Sequence, residues 1–383
     1  MAPQAQSLAI PTPTIQCHAS NLLQLADKTL LCVFFGGSQE GLPDVSIWLS
    51  RLEPGASSWT QPKRISYDEG RSCQNPVLFQ APNSSRIWLF HTSQDAGNQD
   101  ECYMVARTSD DGGSTWSSPT RPLGEKKGIF SRQPLVVLED NTWVLPVFYC
   151  RNEPGCRWIG NDDVSGVFYS KDEGKTWHEK QLSDGIGAVH MNIIKPEPKK
   201  TNWVAFYRSR WADRVYRATS INGLDWDTPK PLDLANPNSG ICAARLSSGK
   251  IALVFNDSCA SPDDLKRQGL YDDITPEDDK RPNQASKGGR EAIWGIARKK
   301  LTLGISDDNG LTWKTKVLED GDGFCMTNSS SGKENRELSY PSAWLEVVDG
   351  KDTLHVAFTF HRQYIKHIRI SDVENWVEST RLC

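Results

Sequence analysis

The sequence has no long apolar run and no large surplus of one charge. No stretch approaches the roughly 20 apolar residues that cross a bilayer, so we expect no membrane partner. The 44 Lys and Arg residues nearly balance the 48 Asp and Glu residues, which gives no reason to expect nucleic acid as a partner. The start, "MAPQAQSLAIPTPT", lacks the basic residues and apolar core of a secretory leader.

The ten cysteines show no zinc-binding pattern in their spacing. Cys150 and Cys156 enclose the turn-like stretch "RNEPG", which a disulfide would close. Three N-glycosylation sequons stand at Asn83, Asn256 and Asn328. The even cysteine count and the sequons favour a secreted, extracellular protein. The sequence also contains no convincing helix.

A short motif occurs three times, in "TSDDGGSTWSSP", "YSKDEGKTWHEK" and "ISDDNGLTWKTK". The shared frame is Ser-x-Asp-x-Gly-x-Thr-Trp, and β-like runs precede each copy. Asp bonds backbone amides in a turn, Gly allows a positive φ, and Trp packs between sheets. The motif therefore predicts a structural hairpin turn in a repeat architecture, and not a catalytic site.

Pairs of apolar strands recur six times along the chain, and most lead into such a turn or a worn copy of it. Six sheets of four antiparallel strands predict an all-β protein, a six-bladed β-propeller formed by residues 1–383 as one domain. The charged segment 261–290 is rich in Asp and Pro and predicts a long loop inserted in the fifth blade. A seventh blade hidden in this segment stays an open alternative.

Polar residues concentrate where first strands start and second strands end, which is one face of a propeller. At such a mouth, His, Tyr and Arg from different blades predict an anion-binding catalytic funnel. The strand starts supply His18, Arg71, Asn75, Arg132, Gln133, His190, Asn192, Asn238, Ser239, Ser339 and Tyr340. The strand returns supply Gly36, Gly37, His91, Tyr149, Arg208, Arg210, Asn256, His361 and Arg362.

The repeated frame resembles the Asp-box, or BNR repeat, of sialidases, and the blade pattern extends the resemblance over nearly the whole chain. The stretches "HAS", "NPVLF", "NPNSG" and "SYP" are similar to the sialidase-like branch of these propellers. Within it, the chain is most similar to lyases that remove rhamnose from glucuronate. The resemblance implies a carbohydrate-active enzyme.

A sialidase uses three Arg as a carboxylate clamp, a Tyr nucleophile with a Glu partner, and an Asp acid. By resemblance, Tyr340 matches the Tyr, and Arg208 or Arg210 matches one Arg. His18 stands where the first Arg is expected, and His190 or Met191 stands where the Glu is expected. Asp44 or Glu40 is left for the acid. The missing groups argue against sialidase chemistry, because a Tyr nucleophile needs a base.

The alternative is an exo-type L-rhamnose-α-1,4-D-glucuronate lyase that releases terminal rhamnose by β-elimination, as from gum arabic. This reaction needs a cation for the uronate carboxylate, a base for the C5 proton and an acid for the leaving oxygen. Arg208, Arg210 and Arg71 are candidates for the cation. His91, His190 or Tyr149 is the candidate base, and Tyr149 or Tyr340 the candidate acid.

The lyase is the first hypothesis, an exo-sialidase or other glycosidase the second, and a non-catalytic glycan-binding propeller the third. The candidate catalytic residues are Tyr149, His91, His190, Arg208 and Tyr340. The candidate substrate-binding residues are His18, Arg71, Asn75, Arg132, Arg210, Asn238, Ser239 and His361. We expect a monomer that binds an acidic oligosaccharide or polysaccharide and requires no cofactor. A structural Ca²⁺ on backbone carbonyls of the channel would leave no mark in the sequence.

Overall fold

The computed structural model describes residues 3–182, 184–197, 200–271, 274, 280–321, 323–326 and 337–379. They form a six-bladed β-propeller, as predicted, with six antiparallel sheets. Each sheet contacts the next one along the chain, and the last contacts the first. The ring of blades is therefore closed around a central axis.

The first two blades follow each other directly in the chain. Strand β1 (Ala5–Ile10) precedes them and belongs to the last blade. Blade one consists of β2 (Gln16–Gln24), β3 (Leu30–Gly37), β4 (Ser46–Leu52) and β5 (Lys63–Ser66). Blade two consists of β6 (Ser72–Gln80), β7 (Ile87–Asp95) and β8 (Asn98–Ser109). A bridge between Ala106 and Thr120 stands where its fourth strand would be.

Blade three has five strands because its innermost strand is broken in two. It consists of β9 (Ile129–Ser131), β10 (Val136–Val137), β11 (Trp143–Tyr149), β12 (Val164–Ser170) and β13 (His178–Gln181). Both β9 and β10 pair with β11. The break between them contains Arg132 and Gln133, which are thereby freed from the ladder.

The remaining blades have four strands each. Blade four consists of β14 (Ala188–Ile194), β15 (Trp203–Ser209), β16 (Arg214–Ser220) and β17 (Lys230–Ala235). Blade five consists of β18 (Cys242–Arg245), β19 (Ile251–Asn256), β20 (Lys300–Ser306) and β21 (Lys314–Asp320). Blade six consists of β22 (Leu338–Val348), β23 (Lys351–Phe360), β24 (Tyr364–Ser371) and β1. The residues between β19 and β20 include segment 261–290.

Helical structure is sparse, as the sequence predicts. The helix α1 (Val373–Glu378) has six residues and follows β24. Within the described ranges, no helix has the length and apolar character to cross a membrane. Apolar side chains fill the spaces between neighbouring sheets, and the largest such cluster joins blades two, three and four.

The three Asp-box turns lie between the third and fourth strands of their blades, on the face opposite the mouth. In the second copy, Asp172 accepts hydrogen bonds from the Thr176 amide at 2.8 Å and the Thr176 hydroxyl at 2.7 Å. These bonds lower the pKa of Asp172 to about 2. Trp177 closes the turn by donating to the Gly174 carbonyl at 3.1 Å. The motif is a structural turn at all three sites.

The expected disulfide between Cys150 and Cys156 is wrong, since both are free thiols. Cys150 is buried at the end of β11, and its thiol approaches Gln99 Oε1 at 3.8 Å. Of the sequons, Asn256 is fully buried and bonds the carbonyls of Lys300 and Leu338. Asn83 is exposed, and Asn328 lies outside the described residues.

Candidate active site

The innermost strands carry matching irregularities near the mouth. In β2, β6, β14 and β22 the ladder register shifts at one place, and a residue with positive φ lies there: Ala19, Asn75, His190 and Tyr340. Such a bulge re-aims the neighbouring side chains. His190 and Tyr340 thereby face each other across the axis, with ring centroids 5.6 Å apart.

Tyr340 lies at the centre of the cluster. Its hydroxyl accepts a hydrogen bond from Arg208 Nη1, and Arg208 Nε donates to Asn238 Oδ1 at 2.6 Å. The guanidinium carbons of Arg132, Arg208 and Arg298 lie 5.3–5.5 Å from the centroid of the Tyr340 ring. Three cations therefore surround one phenol.

Arg208 is only 1% exposed. Burial lowers the pKa of its guanidinium to about 9, against the opposing effect of Tyr340. Its bonds within the described residues go to the neutral groups Asn238 and Tyr340, and no carboxylate there pairs with it. The charge of Arg208 is thus poised for an anionic ligand, because a buried guanidinium without a counterion is energetically costly.

Arg132 lies deeper, where β9 and β10 are interrupted. Its Nη2 donates to the carbonyl oxygens of Ser20, Tyr340 and Pro341, at 3.0, 3.1 and 3.1 Å. These carbonyls come from blades one and six. Arg132 therefore ties three blades together at the axis and fixes the main chain of Tyr340.

The carbonyls around Arg132 are of the type that a channel Ca²⁺ would need. Because a guanidinium already bonds them, they do not fit a calcium site. Among the described residues, no group of three or more His, Cys, Asp or Glu side chains is arranged to hold a metal ion.

A buried ion-pair network lies beside Tyr340. Glu337 accepts from Arg298 Nη1 at 2.6 Å and from Arg362 Nε at 2.7 Å. A second carboxylate, Glu40, lies 2.6 Å from Arg362 Nη1. Burial favours protonation of Glu337, but Arg362 and Arg298 hold its pKa well below its usual range. Glu337 is therefore a carboxylate with both oxygens engaged, which makes it a weak base.

A second buried pair joins Arg210 to Asp163. Arg210 Nε and Nη2 both donate to Asp163 Oδ2, at 2.9 and 2.7 Å, and Trp158 Nε1 donates to Oδ1 at 2.9 Å. Burial raises the pKa of Asp163, against the effect of Arg210. The Trp294 ring covers Arg210 at 4.8 Å and Arg208 at 5.7 Å. Trp294 precedes β20, so the long connection of blade five shields the cluster from water.

Two histidines in the cluster are held neutral. Burial, together with Arg208 and Arg210, keeps the pKa of His190 well below its usual range. Its Nδ1 is buried and has no hydrogen-bond partner among the described residues. Burial and Arg362 also lower the pKa of His18, whose Nδ1 bonds Thr359 Oγ1 at 2.8 Å. Each neutral imidazole keeps a nitrogen lone pair that can accept a proton, but burial and the neighbouring cations weaken it as a base.

Three predicted site residues lie apart from this cluster. His91 bonds Ser66 Oγ at 2.8 Å and the Thr92 carbonyl at 3.1 Å, so its ring lies between blades one and two. Tyr149 covers Gly166, where an added Cβ would come within 2.8 Å of its ring. Phe148, its neighbour, faces His190 instead, at 5.0 Å between centroids.

Arg71 is the third residue apart. Its guanidinium bonds the Ser93 hydroxyl at 3.0 Å, the Ser93 and Glu101 carbonyls at 3.1 Å each, and the Asp95 carboxylate. These hydrogen bonds are all to residues of blade two. The carboxylate of Asp44, a candidate acid, has a structural role instead. It accepts hydrogen bonds from the Ser38 amide at 2.7 Å and from the Ser38 hydroxyl at 2.9 Å.

The other predicted residues lie at or next to the cluster. Asn238 Nδ2 donates to the Ile293 carbonyl at 2.8 Å, and Ser239 Oγ is buried with no partner within the described ranges. His361 Nδ1 accepts from the Glu337 amide at 3.3 Å. Asn75 occupies the bulge of β6 and is 5% exposed. Gln133 Nε2 donates to the Ile241 carbonyl at 2.6 Å, which links blade three to blade five.

Several members of the cluster were not predicted from the sequence. Glu337, Arg298, Asp163 and Trp294 lie in connections just outside the strands, where no periodicity marks them. One signal was available for Glu337, since it stands three residues before Tyr340 at the start of β22. Arg298 has a similar position before β20.

The fold is similar to solved sialidases and related propellers at low identity. A Hadza microbial sialidase, Hz136, is 14% identical, with 94% of this chain and 68% of that chain covered and a TM-score of 0.67. A leech intramolecular trans-sialidase is 13% identical, with 96% and 70% covered and a TM-score of 0.66. A Dyadobacter fermentans protein of unknown function is 14% identical, with 96% and 99% covered and a TM-score of 0.67.

These likenesses show the fold alone. No curated protein matches the chain significantly in sequence. The BNR repeat-like domain family matches residues 28–356, which is most of the chain. The chain belongs to this family.

Proposed function

We propose that this protein is a carbohydrate-active enzyme that acts on a carboxylate-bearing sugar at the Tyr340 cluster. The observation that carries the proposal is the hydrogen bond from Arg208 to the Tyr340 hydroxyl, beside the neutral imidazole of His190. An acid, a base and cations for a carboxylate thus occupy one enclosed space. The sialidases of similar fold also act on acidic sugars, which supports this substrate class.

The reaction that these groups fit best is β-elimination from a uronate. Arg208, which pairs with no carboxylate among the described residues, neutralises the sugar carboxylate and so acidifies the C5 proton. His190 takes that proton, the bond from C4 to the leaving oxygen breaks, and Tyr340 gives its proton to that oxygen. The products are a free sugar and a uronate with a double bond between C4 and C5.

The carboxylates of the cluster support elimination over hydrolysis by a carboxylate pair. Glu337, Glu40 and Asp163 each bond a guanidinium, so none is free to act as an acid or base. Tyr340 is 8% exposed, and the side chain of Arg298, which lies over the Tyr340 ring, is 13% exposed. These two are the most accessible groups of the cluster. Because access is this narrow, we expect the enzyme to act on chain ends.

Sialidase-type hydrolysis is the second candidate function. One observation favours it: Tyr340 and the Glu337 carboxylate lie in the same cluster, with guanidinium groups around them. In this reaction Tyr340 would attack the anomeric carbon. The buried ion pairs of Glu337 count against it, because they weaken the base that a Tyr nucleophile needs.

A single assay separates these reactions. The protein is incubated with a rhamnose-capped glucuronate glycan from gum arabic, and in parallel with sialyllactose, while ultraviolet absorbance and free sugars are followed. Elimination makes absorbance rise in step with rhamnose, because the new double bond is conjugated to the carboxylate. Rhamnose without absorbance means hydrolysis, and free sialic acid supports the second candidate. Binding without any product would overturn the catalytic proposal and favour a glycan-binding propeller. For all of these candidate functions, the proposed partner is an extracellular acidic glycan.

A further inference from the structure

A basic cavity of about 370 Å³ opens between the outer edge of blade one and the Asp-box turn of blade two. Its walls come from β4, β5 and the stretch 113–116. The Asp-box follows β8, a third strand, so the cavity lies toward the face opposite the mouth. It is separate from the Tyr340 cluster and shares no residue with it.

Two guanidinium groups of this cavity are fixed by the backbone. Arg51 Nη1 donates to the Gly112 carbonyl at 2.6 Å. Arg107 donates from Nη1 to the Ser117 carbonyl at 2.8 Å and from Nε to Ser66 Oγ at 2.9 Å. The Asp-box turn thus positions both side chains from its two ends, and their remaining N–H groups need no reorganisation to meet a ligand.

Two further cations line the cavity from the edge strand β5. Lys63 and Arg64 are exposed, and neither forms an ion pair with the described residues. The Arg64 guanidinium lies over the Tyr67 ring at 4.6 Å. Four cationic side chains, Arg51, Lys63, Arg64 and Arg107, therefore line one cavity.

The nearby carboxylates do not balance this charge. Glu53 bonds Arg51 Nε at 3.2 Å and the Thr29 hydroxyl at 2.9 Å. Asp111 is turned into its own hairpin, where it bonds Ser109, Ser114 and Thr115. The lining itself contains four cationic side chains and no carboxylate, which favours an anionic ligand.

Sugar-binding groups accompany the charge. The half-buried Trp116 ring and the hydroxyls of Thr60, Ser114 and Thr115 line the same cavity. Aromatic faces pack on the apolar face of a pyranose, and hydroxyls bond its hydroxyl groups. We propose that this cavity is a second binding site, for an acidic oligosaccharide segment, that holds a glycan chain apart from the mouth.

The test uses the whole protein and isothermal titration with three probes: a galacturonic acid trisaccharide, a chondroitin sulfate tetrasaccharide and neutral maltotriose. The variant K63E/R64E reverses two exposed charges of the cavity. The matched control K171E/K175E makes the same charge change on the exposed Asp-box hairpin of blade three. Neither pair belongs to the Tyr340 cluster, so turnover of a short substrate is expected to stay unchanged in both.

We expect an acidic probe to bind the wild type and the control alike, and K63E/R64E at least about tenfold more weakly. Maltotriose is expected to bind none of them measurably. Tighter binding of the trisaccharide or of the tetrasaccharide identifies carboxylate or sulfate as the preferred group, and both results support the site. Equal affinity for K63E/R64E and the wild type would overturn the proposal, as would tighter binding of a DNA oligonucleotide of equal charge. This outcome is independent of whether the mouth is catalytic.

Discussion

The Arg208 guanidinium donates a hydrogen bond to the Tyr340 hydroxyl inside a cluster that is nearly closed to water. The two residues come from β15 and β22, which belong to blades four and six. Because the guanidinium occupies one lone pair of the phenol oxygen, the phenol proton remains available for transfer. This contact links the anion-binding and proton-transfer functions of the proposed site.

Removal of the Tyr340 hydroxyl tests this link. We expect Y340F to lower kcat by about 100-fold or more, the usual effect of losing a general acid, and to leave the thermal unfolding temperature nearly unchanged. The matched control is Y207F, because the Tyr207 hydroxyl is buried in β15 and bonds no residue in the part of the chain that the structure describes. Steady-state kinetics on the substrate found by the absorbance assay give the result. Equal activity of Y340F and Y207F would remove Tyr340 from the mechanism.

Arg132 is expected to act as an internal cation of the channel. The variant R132A should lose activity and stability, because three carbonyls lose their donor and Tyr340 loses its support. Free guanidinium, at concentrations far below those that denature, should restore part of both. Sodium chloride at the same ionic strength is the control. If R132A folds and guanidinium restores no more activity than the salt, the carbonyls are not a cation site.

The pair of Asp163 and Arg210 predicts a large and specific stability effect. D163N leaves a buried guanidinium without its counterion, which costs roughly 3–5 kcal/mol in comparable pairs. The double variant D163L/R210M removes both charges and is expected to recover most of that loss. Denaturant unfolding of the wild type, the single variants D163L and R210M, and the double variant measures the coupling. Additive effects would mean that the pair contributes no interaction of its own.

His91 predicts a dependence of stability on pH. Burial lowers its pKa to about 4 in the folded protein, whereas an unfolded chain titrates near 6.5. Between these values the unfolded state binds a proton that the folded state does not, so the free energy of unfolding falls as pH decreases from 6.5 to 4. The limit for one such group is about 3 kcal/mol. H91Q should make this pH dependence shallower, and an unchanged slope in urea titrations at several pH values would contradict the assignment.

The sequence was a good guide to the blades and to part of the cluster. The repeated turns and strand pairs predicted the propeller, and strand starts supplied His18, Arg132, His190 and Tyr340. Side-chain direction was harder, because successive residues of a strand face opposite sides. Tyr149 and His91 contact Gly166 and Ser66, away from the Tyr340 cluster, while Phe148 faces His190.

The bulges explain why the sequence did not predict which way each side chain points. A single extra residue in β14 or β22 reverses the alternation from that point on, and nothing in the sequence around His190 marks it. The loop residues Glu337, Arg298 and Trp294 were missed for a different reason. They come near Tyr340 through the tertiary packing of long connections. Such connections have no repeating pattern of apolar and polar residues from which a position can be predicted.

Strand β1 gives the ring an unusual order of assembly. It pairs with β24 along six residues, from Ala5 opposite Ile370 to Ile10 opposite Ile365. The other five blades are built from contiguous stretches of chain, so each is complete as soon as its own stretch has left the ribosome. Blade six has to wait, because its outer strand is made first and its other three strands last. During synthesis the edge of β1 therefore stays without its partner until β24 has emerged, and we expect closure of the ring to be a late event of folding.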